Sequence, residues 1–148
     1  MKELFTTANV QRALDLPRER LRSWFKLGFL APTIAAEGQG KKALFNRQDI
    51  YKIALFKILV NMGIHRKAIS DFLQSADLEG ACYISIVQID QETKISVHKN
   101  KHGSMNPETG EWTDNQVLYV GPWKILWDVS LLINYEKIKR SVDETLKG

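Results

Sequence analysis

Arg18, Arg22 and Lys26 recur every four residues in the stretch "LPRERLRSWFKLGFL", residues 16–30, with Arg20 and Trp24 beside them. On a helix that spacing gathers three cations into one stripe, next to an apolar pair, Leu21 and Phe25, also four apart. Arginine carries a permanent charge on a planar fork, which can chelate a guanine edge or neutralise a phosphate. The chemistry on offer is recognition of a polyanion. The plainer reading is a solvated charged face with a core tryptophan on its flank.

The surrounding elements decide between these readings. "TTANVQRALDL" offers Thr6 or Thr7 as an N-cap and Val10, Ala13 and Leu14 at helical spacing, after which Asp15 and Leu16 turn the chain. Pro17 suits the start of a second helix and Gly28 a left-handed stop. Two short helices joined so tightly pack at a steep angle, a helix-turn-helix. The second helix of such a pair enters a DNA major groove N-terminus first. Arg18 and Glu19 are then placed for base edges, and Arg22, Trp24 and Lys26 for backbone. Residues 31–45 follow, broken by Pro32, Gly38 and Gly40, as an exposed loop or small β-wing. Lys41 and Lys42 at its tip are positioned for flanking phosphates.

Asn46 caps a third helix, with Asp49 three residues on. From Ile50 to Met62 its apolar residues run nearly all the way round, so a second covering is expected, from the C-terminal half or a partner subunit. Gly63 ends it. "HRKAISDFLQ" supplies a fourth helix, and "SADLEG" reads as a hinge.

Charge separates along the same line. Residues 1–75 carry 13 lysines and arginines against 6 acidic residues, a net of +7, whereas residues 76–148 carry 8 against 11, a net of −3. Only the first half is suited to a polyanion.

After Gly80 the periodicity becomes two. "CYISIVQI" and "KISVH" read as a hairpin, residues 99–116 as a long loop with a turn, "VLYV" as a short strand and residues 125–133 as an alternating strand. Asn134 caps a last helix with Tyr135, Ile138, Val142 and Leu146 on one stripe and Glu136 and Arg140 paired outside it. The expected fold class is α+β. A winged helix-turn-helix domain over residues 1–76 precedes a small antiparallel sheet with a C-terminal helix, residues 81–148, that dimerises or senses an effector.

The first half also carries a resemblance. "LRSWFKLGFLAP", then "LFNRQDI", then "LVNMGIHRKAISDFL" stand in order at family-like spacing, so that residues 5–73 resemble the MerR family of winged helix-turn-helix transcription regulators. The resemblance implies a recognition helix at about residues 17–27, a wing at about 31–45 and phosphate contacts at Arg22 and Trp24. The departures are Gln11 where alanine is usual, Asp15 where glycine is usual in the turn, and Ala43 where a wing arginine is common. Lys41 or Lys42 would have to supply that wing contact. Typical members continue from Leu73 into a long dimerising helix, whereas strands follow here.

Other chemistry is sparse. Cys82 is the lone cysteine, which allows no internal disulfide, suits a reducing interior and reads as a buried strand residue. His98 and His102, four apart on a strand end and loop, do not converge with it, and no metal or cofactor is assigned. Tyr83, Trp112, Tyr119, Trp123 and Trp127 would line a pocket for a planar effector if they are not simply core and turn filling. Neither a phosphate-cradling glycine motif nor a catalytic grouping is present, so enzyme activity is not expected. The N-terminus lacks the apolar run of a secretory signal, and the reading is a cytoplasmic, homodimeric, duplex-DNA-binding regulator with no membrane association. An excisionase-like or architectural DNA-binding factor is the alternative, with a protein-interaction adaptor the third reading.

Overall fold

The computed structural model describes residues 3–36, 40–89, 92–99, 104–105, 112–113 and 129–147. It is α+β and divides into two compact units, one formed by Met1–Gln74 with Lys137–Gly148 and the other by Ser75–Glu136.

The first unit opens with β1 (Phe5–Thr6) and α1 (Thr7–Leu14). Thr6 is the N-cap: its Oγ1 accepts from the Asn9 N–H at 3.3 Å, and its own N–H donates to Asn9 Oδ1 at 2.9 Å. Reciprocal bonds of this kind satisfy donors that a helix start otherwise leaves unpaired. At the other end Asp15 takes the left-handed conformation, φ 49°, and its N–H bonds to the Gln11 carbonyl. Aspartate is one of the few side chains that tolerate this region. The Lys57 ammonium donates to the Leu14 carbonyl, placing a cation at the negative end of α1.

Pro17 is the N-cap of α2 (Arg18–Lys26), and its carbonyl accepts from the Arg20 and Leu21 N–H groups. Gly28, φ 78°, closes α2: its N–H reaches the Phe25 carbonyl at 3.1 Å while Phe29 N–H reaches that of Trp24 at 3.0 Å. This paired closure needs a positive φ, which glycine adopts without cost.

The wing is closed at its base. Ile34 and Leu44 exchange backbone hydrogen bonds at 3.0 and 2.9 Å, and β2 (Leu44–Phe45) pairs antiparallel with β1. Residues 37–39 lie outside the described residues. Lys41 and Lys42, expected at the tip, stand on the returning arm just before β2.

α3 (Arg47–Asn61) repeats the capping box of α1 with Asn46 and Asp49. Its Ile50, Tyr51, Ile53, Ala54, Leu55, Phe56 and Leu59 are all buried, as expected of a helix apolar nearly all round. On one side Phe56 meets Trp24 edge-to-face, centroids 4.8 Å apart, and Phe29 at 5.9 Å. α4 (Arg66–Ser75) adds Ile69 and Leu73 to the core, and its Ser70 hydroxyl donates to the Phe29 carbonyl at 3.0 Å.

The second covering comes from the end of the chain. α5 (Tyr135–Lys147) carries Asp143, whose Oδ1 accepts from Arg47 at 2.7 Å and from the Tyr51 hydroxyl at 2.6 Å. Arg47 also donates to Glu3 at 2.7 Å and lies over the Phe5 ring. The hydrogen bonds to Glu3 and Asp143 strengthen the guanidinium's hold on its proton. Burial, then the bond to Asp143, pushes the Tyr51 hydroxyl up to about 12. Sequence reasoning assigned residues 137–148 to the second domain, because an amphipathic stripe shows that a helix buries a face without showing against what. They group instead with the first unit.

The second unit is built on β3 (Tyr83–Ile89), flanked by β4 (Glu92–His98) and β7 (Val129–Asn134) in the antiparallel order β4-β3-β7. Ile84 faces Val97 on one side and Ile133 on the other. The expected hairpin is present. A further pairing joins β5 (Ser104–Met105) to β6 (Trp112–Thr113). The expected "VLYV" strand, residues 125–128 of the expected alternating strand, His102, and the aromatic residues Tyr119, Trp123 and Trp127 lie outside the described residues. Cys82 is buried, its Sγ 3.3 Å from the Lys99 carbonyl and 3.4 Å from Glu136 Oε1. Buried His98 places Nε2 2.7 Å from Ser85 Oγ.

Candidate nucleic-acid interface

α2 is divided lengthwise. Leu21 and Trp24 are buried at 0% and 2% exposure, Phe25 is half-buried against Phe45 with centroids 5.5 Å apart, and Arg18, Glu19, Arg22, Ser23 and Lys26 are exposed. The stripe of Arg18, Arg22 and Lys26 therefore stands in solvent, on a helix whose inner face is anchored by a tryptophan. Among the described residues none of these three cations has an ion-pair partner.

Trp24 and Arg20 make contacts within the fold. Trp24, expected to donate its N–H to a phosphate, packs its ring on Phe56 in the core. Arg20 is half-buried. Its guanidinium lies 5.1 Å from the Trp24 ring centroid and donates to Asn61 Oδ1 at 2.9 Å, tying α2 to the end of α3. The signal was legible in part: Leu21 and Trp24 are three apart, as much a buried-face spacing as Leu21 and Phe25.

The structure also brings together residues that the sequence keeps apart. Between α1, the start of α2 and the returning arm of the wing is an open cleft of about 420 Å³. Arg18, Lys41 and Lys42 line it with Thr7, Gln11 and Ala43. The sequence marks Thr7 only as a candidate cap and Gln11 only as a departure from the family pattern, since a polar residue on a short helix carries no mark of what stands opposite. Glu19, beside Arg18, does not line the cleft.

The tight helix pair, the wing closed on β1 and the exposed cationic helix define one module. Residues 5–76 match the family described as MerR HTH family regulatory protein. The N-terminal unit carries a MerR-type helix-turn-helix domain. No curated protein matches the chain. The MerR-type domain is a DNA-binding transcription-regulator domain. The matched segment stops at residue 76, before the antiparallel sheet begins. Among the described residues no helix is long and apolar enough to cross a membrane, and no group of three or more His, Cys, Asp and Glu could hold a metal ion.

Proposed function

We propose that the chain is a sequence-specific regulator of transcription that binds double-stranded DNA as a homodimer in the cytoplasm. α2 lies in the major groove, and the wing, through Lys41 and Lys42, rests on flanking backbone. The observation that carries this reading is the division of α2, with Leu21 and Trp24 in the core and Arg18, Arg22 and Lys26 on the outer face, free of ion pairs among the described residues. A helix held rigidly by its inner face presents its outer face in one orientation, which groove reading requires. Glu19 adds an acceptor suited to a cytosine amino group. Arg20, spent on Asn61 and Trp24, acts by holding α2 in place. One short helix gives a small interface, so two half-sites bridged by a dimer raise affinity through effective concentration. The unit Ser75–Glu136 supplies the dimer contact, the response to an effector, or both.

A salt titration of binding to two duplexes of equal length, one from the gene's upstream region and one scrambled, tests this. The expected result is binding at least about a hundredfold tighter to the upstream duplex at physiological salt, with a steep negative slope. Equal binding with a steep slope would replace the regulator by an architectural DNA-binding factor. Absence of binding to either would leave a protein-interaction adaptor.

A further inference from the structure

We infer that the cleft between α1, α2 and the wing is a seat for one backbone phosphate of bound DNA, and that Arg18 serves this seat and not a base edge. The inference rests on the DNA-binding reading above and refines the role of one residue in it.

The shape argues first. Side chains that read bases must project into a groove, because base edges are recessed between the two backbones. A concave site does the reverse and receives a group that projects from the ligand. On a duplex the projecting anionic groups are the phosphates. Arg22 and Lys26 stand on the exposed face of α2, whereas Arg18, at its first position, lines the cleft.

The charge argues next. Arg18 comes from α2, and Lys41 and Lys42 come from the wing, two elements with separate backbones. Three like charges around one cavity repel one another unless an anion joins them. Among the described residues no carboxylate lines the cleft and none of the three cations has an ion-pair partner. Thr7 and Gln11 contribute a hydroxyl and an amide as neutral donors, and the small Ala43 leaves the volume open.

The test uses the full-length protein and a panel of duplexes of equal length that differ in sequence, with binding measured across a range of salt. Arg18→Ala is expected to weaken binding by the same factor on every duplex, and both it and Lys41→Ala with Lys42→Ala are expected to reduce the log-log salt slope by up to about one unit, because the three cations serve a single phosphate. Ala43→Phe fills the cleft while keeping every charge, and is expected to lower both affinity and slope. Arg22→Ala, outside the cleft, serves as the reference for DNA binding itself, and thermal melts confirm that each variant folds.

If Arg18→Ala instead changes the ranking of the duplexes, Arg18 reads bases and the inference is overturned. If Arg22→Ala weakens binding while Arg18→Ala and the double lysine variant leave the slope unchanged, the cleft is no phosphate seat although the domain binds DNA. If the wild-type protein binds no duplex, the DNA-binding reading itself fails and takes the seat with it.

Discussion

α2 and α3 are neighbours with opposite fates. α2 buries one face, through Leu21 and Trp24, and leaves Arg18, Arg22 and Lys26 in solvent. α3 is covered on both sides, by Trp24 and Phe29 against Phe56 and by Asp143 of α5 against Arg47 and Tyr51. The difference shows how the domain divides labour: a helix covered on two sides provides the base, and a half-enclosed one carries charge that has no ion-pair partner among the described residues. Arg20 joins them, with its guanidinium over Trp24 and a hydrogen bond to Asn61 at the end of α3.

The comparison breaks most severely at the residue the two helices share. Trp24→Ala is expected to destabilise the first unit by about 3–5 kcal/mol, from lost burial and the cavity left against Phe56, measured by denaturant unfolding. A loss below about 1 kcal/mol would mean that the tryptophan is not the anchor of α2. Asp143→Ala is next. It leaves Arg47 and Tyr51 without their common acceptor, and because the side chains of Arg47 and Asp143 are about a third exposed, the expected loss is screened to about 1–2 kcal/mol. Hydrogen exchange should quicken in both α3 and α5; quickening confined to α5 would argue against its role as the second cover of α3.

On the bare helix the expected effect is on binding instead. Arg22→Ala should cost about 1 kcal/mol or more in DNA affinity while shifting unfolding stability by less than about 0.5 kcal/mol. A stability loss as large as that of Asp143→Ala would show that the outer face of α2 is structural after all.

Tyr51→Phe sharpens the enclosed side through pH. The folded state holds the Tyr51 proton to about 12, above its ordinary value of 10.0. The unfolded chain therefore releases this proton first as pH rises, so the contribution is fully present below pH 10 and is lost on going through about 12. Wild-type stability should show this decline, and Tyr51→Phe should lack it after a loss near 1 kcal/mol at neutral pH; identical alkaline profiles would contradict it. The smallest expected effect is at the capping boxes. α3 has Asp49 at its third position, where α1 has the neutral Asn9. Asn9→Asp should raise stability by at most about 0.5 kcal/mol through the helix dipole and slightly weaken DNA binding at low salt. An increase in affinity would run against a phosphate approaching the start of α1.

Where local geometry governs, the sequence was readable. The caps at Thr6 and Asn46, the stops at Gly28 and Gly63 and the hairpin of β3 and β4 follow from residues a few positions apart. The stripe on α2 was readable for the same reason. The spacing of Trp24 suits either flank of the helix, and only Phe56 shows which flank its ring covers. The C-terminal helix is recognisable by its apolar stripe, but the stripe does not say that residues 137–148 group with the first unit. Its partner, Arg47, lies 96 residues away from Asp143.

The sequence by itself determined where helices start and stop, which face of α2 is charged and that the chain changes from helical to β periodicity after Gly80. Hydrogen bonds and side-chain contacts within one helical turn set these features wherever the segment lies. The tertiary structure alone decided that Trp24 belongs to the core, that α5 encloses α3, and that Arg18 shares a cleft with Lys41, Lys42 and Thr7. Such facts depend on which distant surfaces exclude water together, and a local pattern specifies that a face will be buried without specifying the surface that buries it.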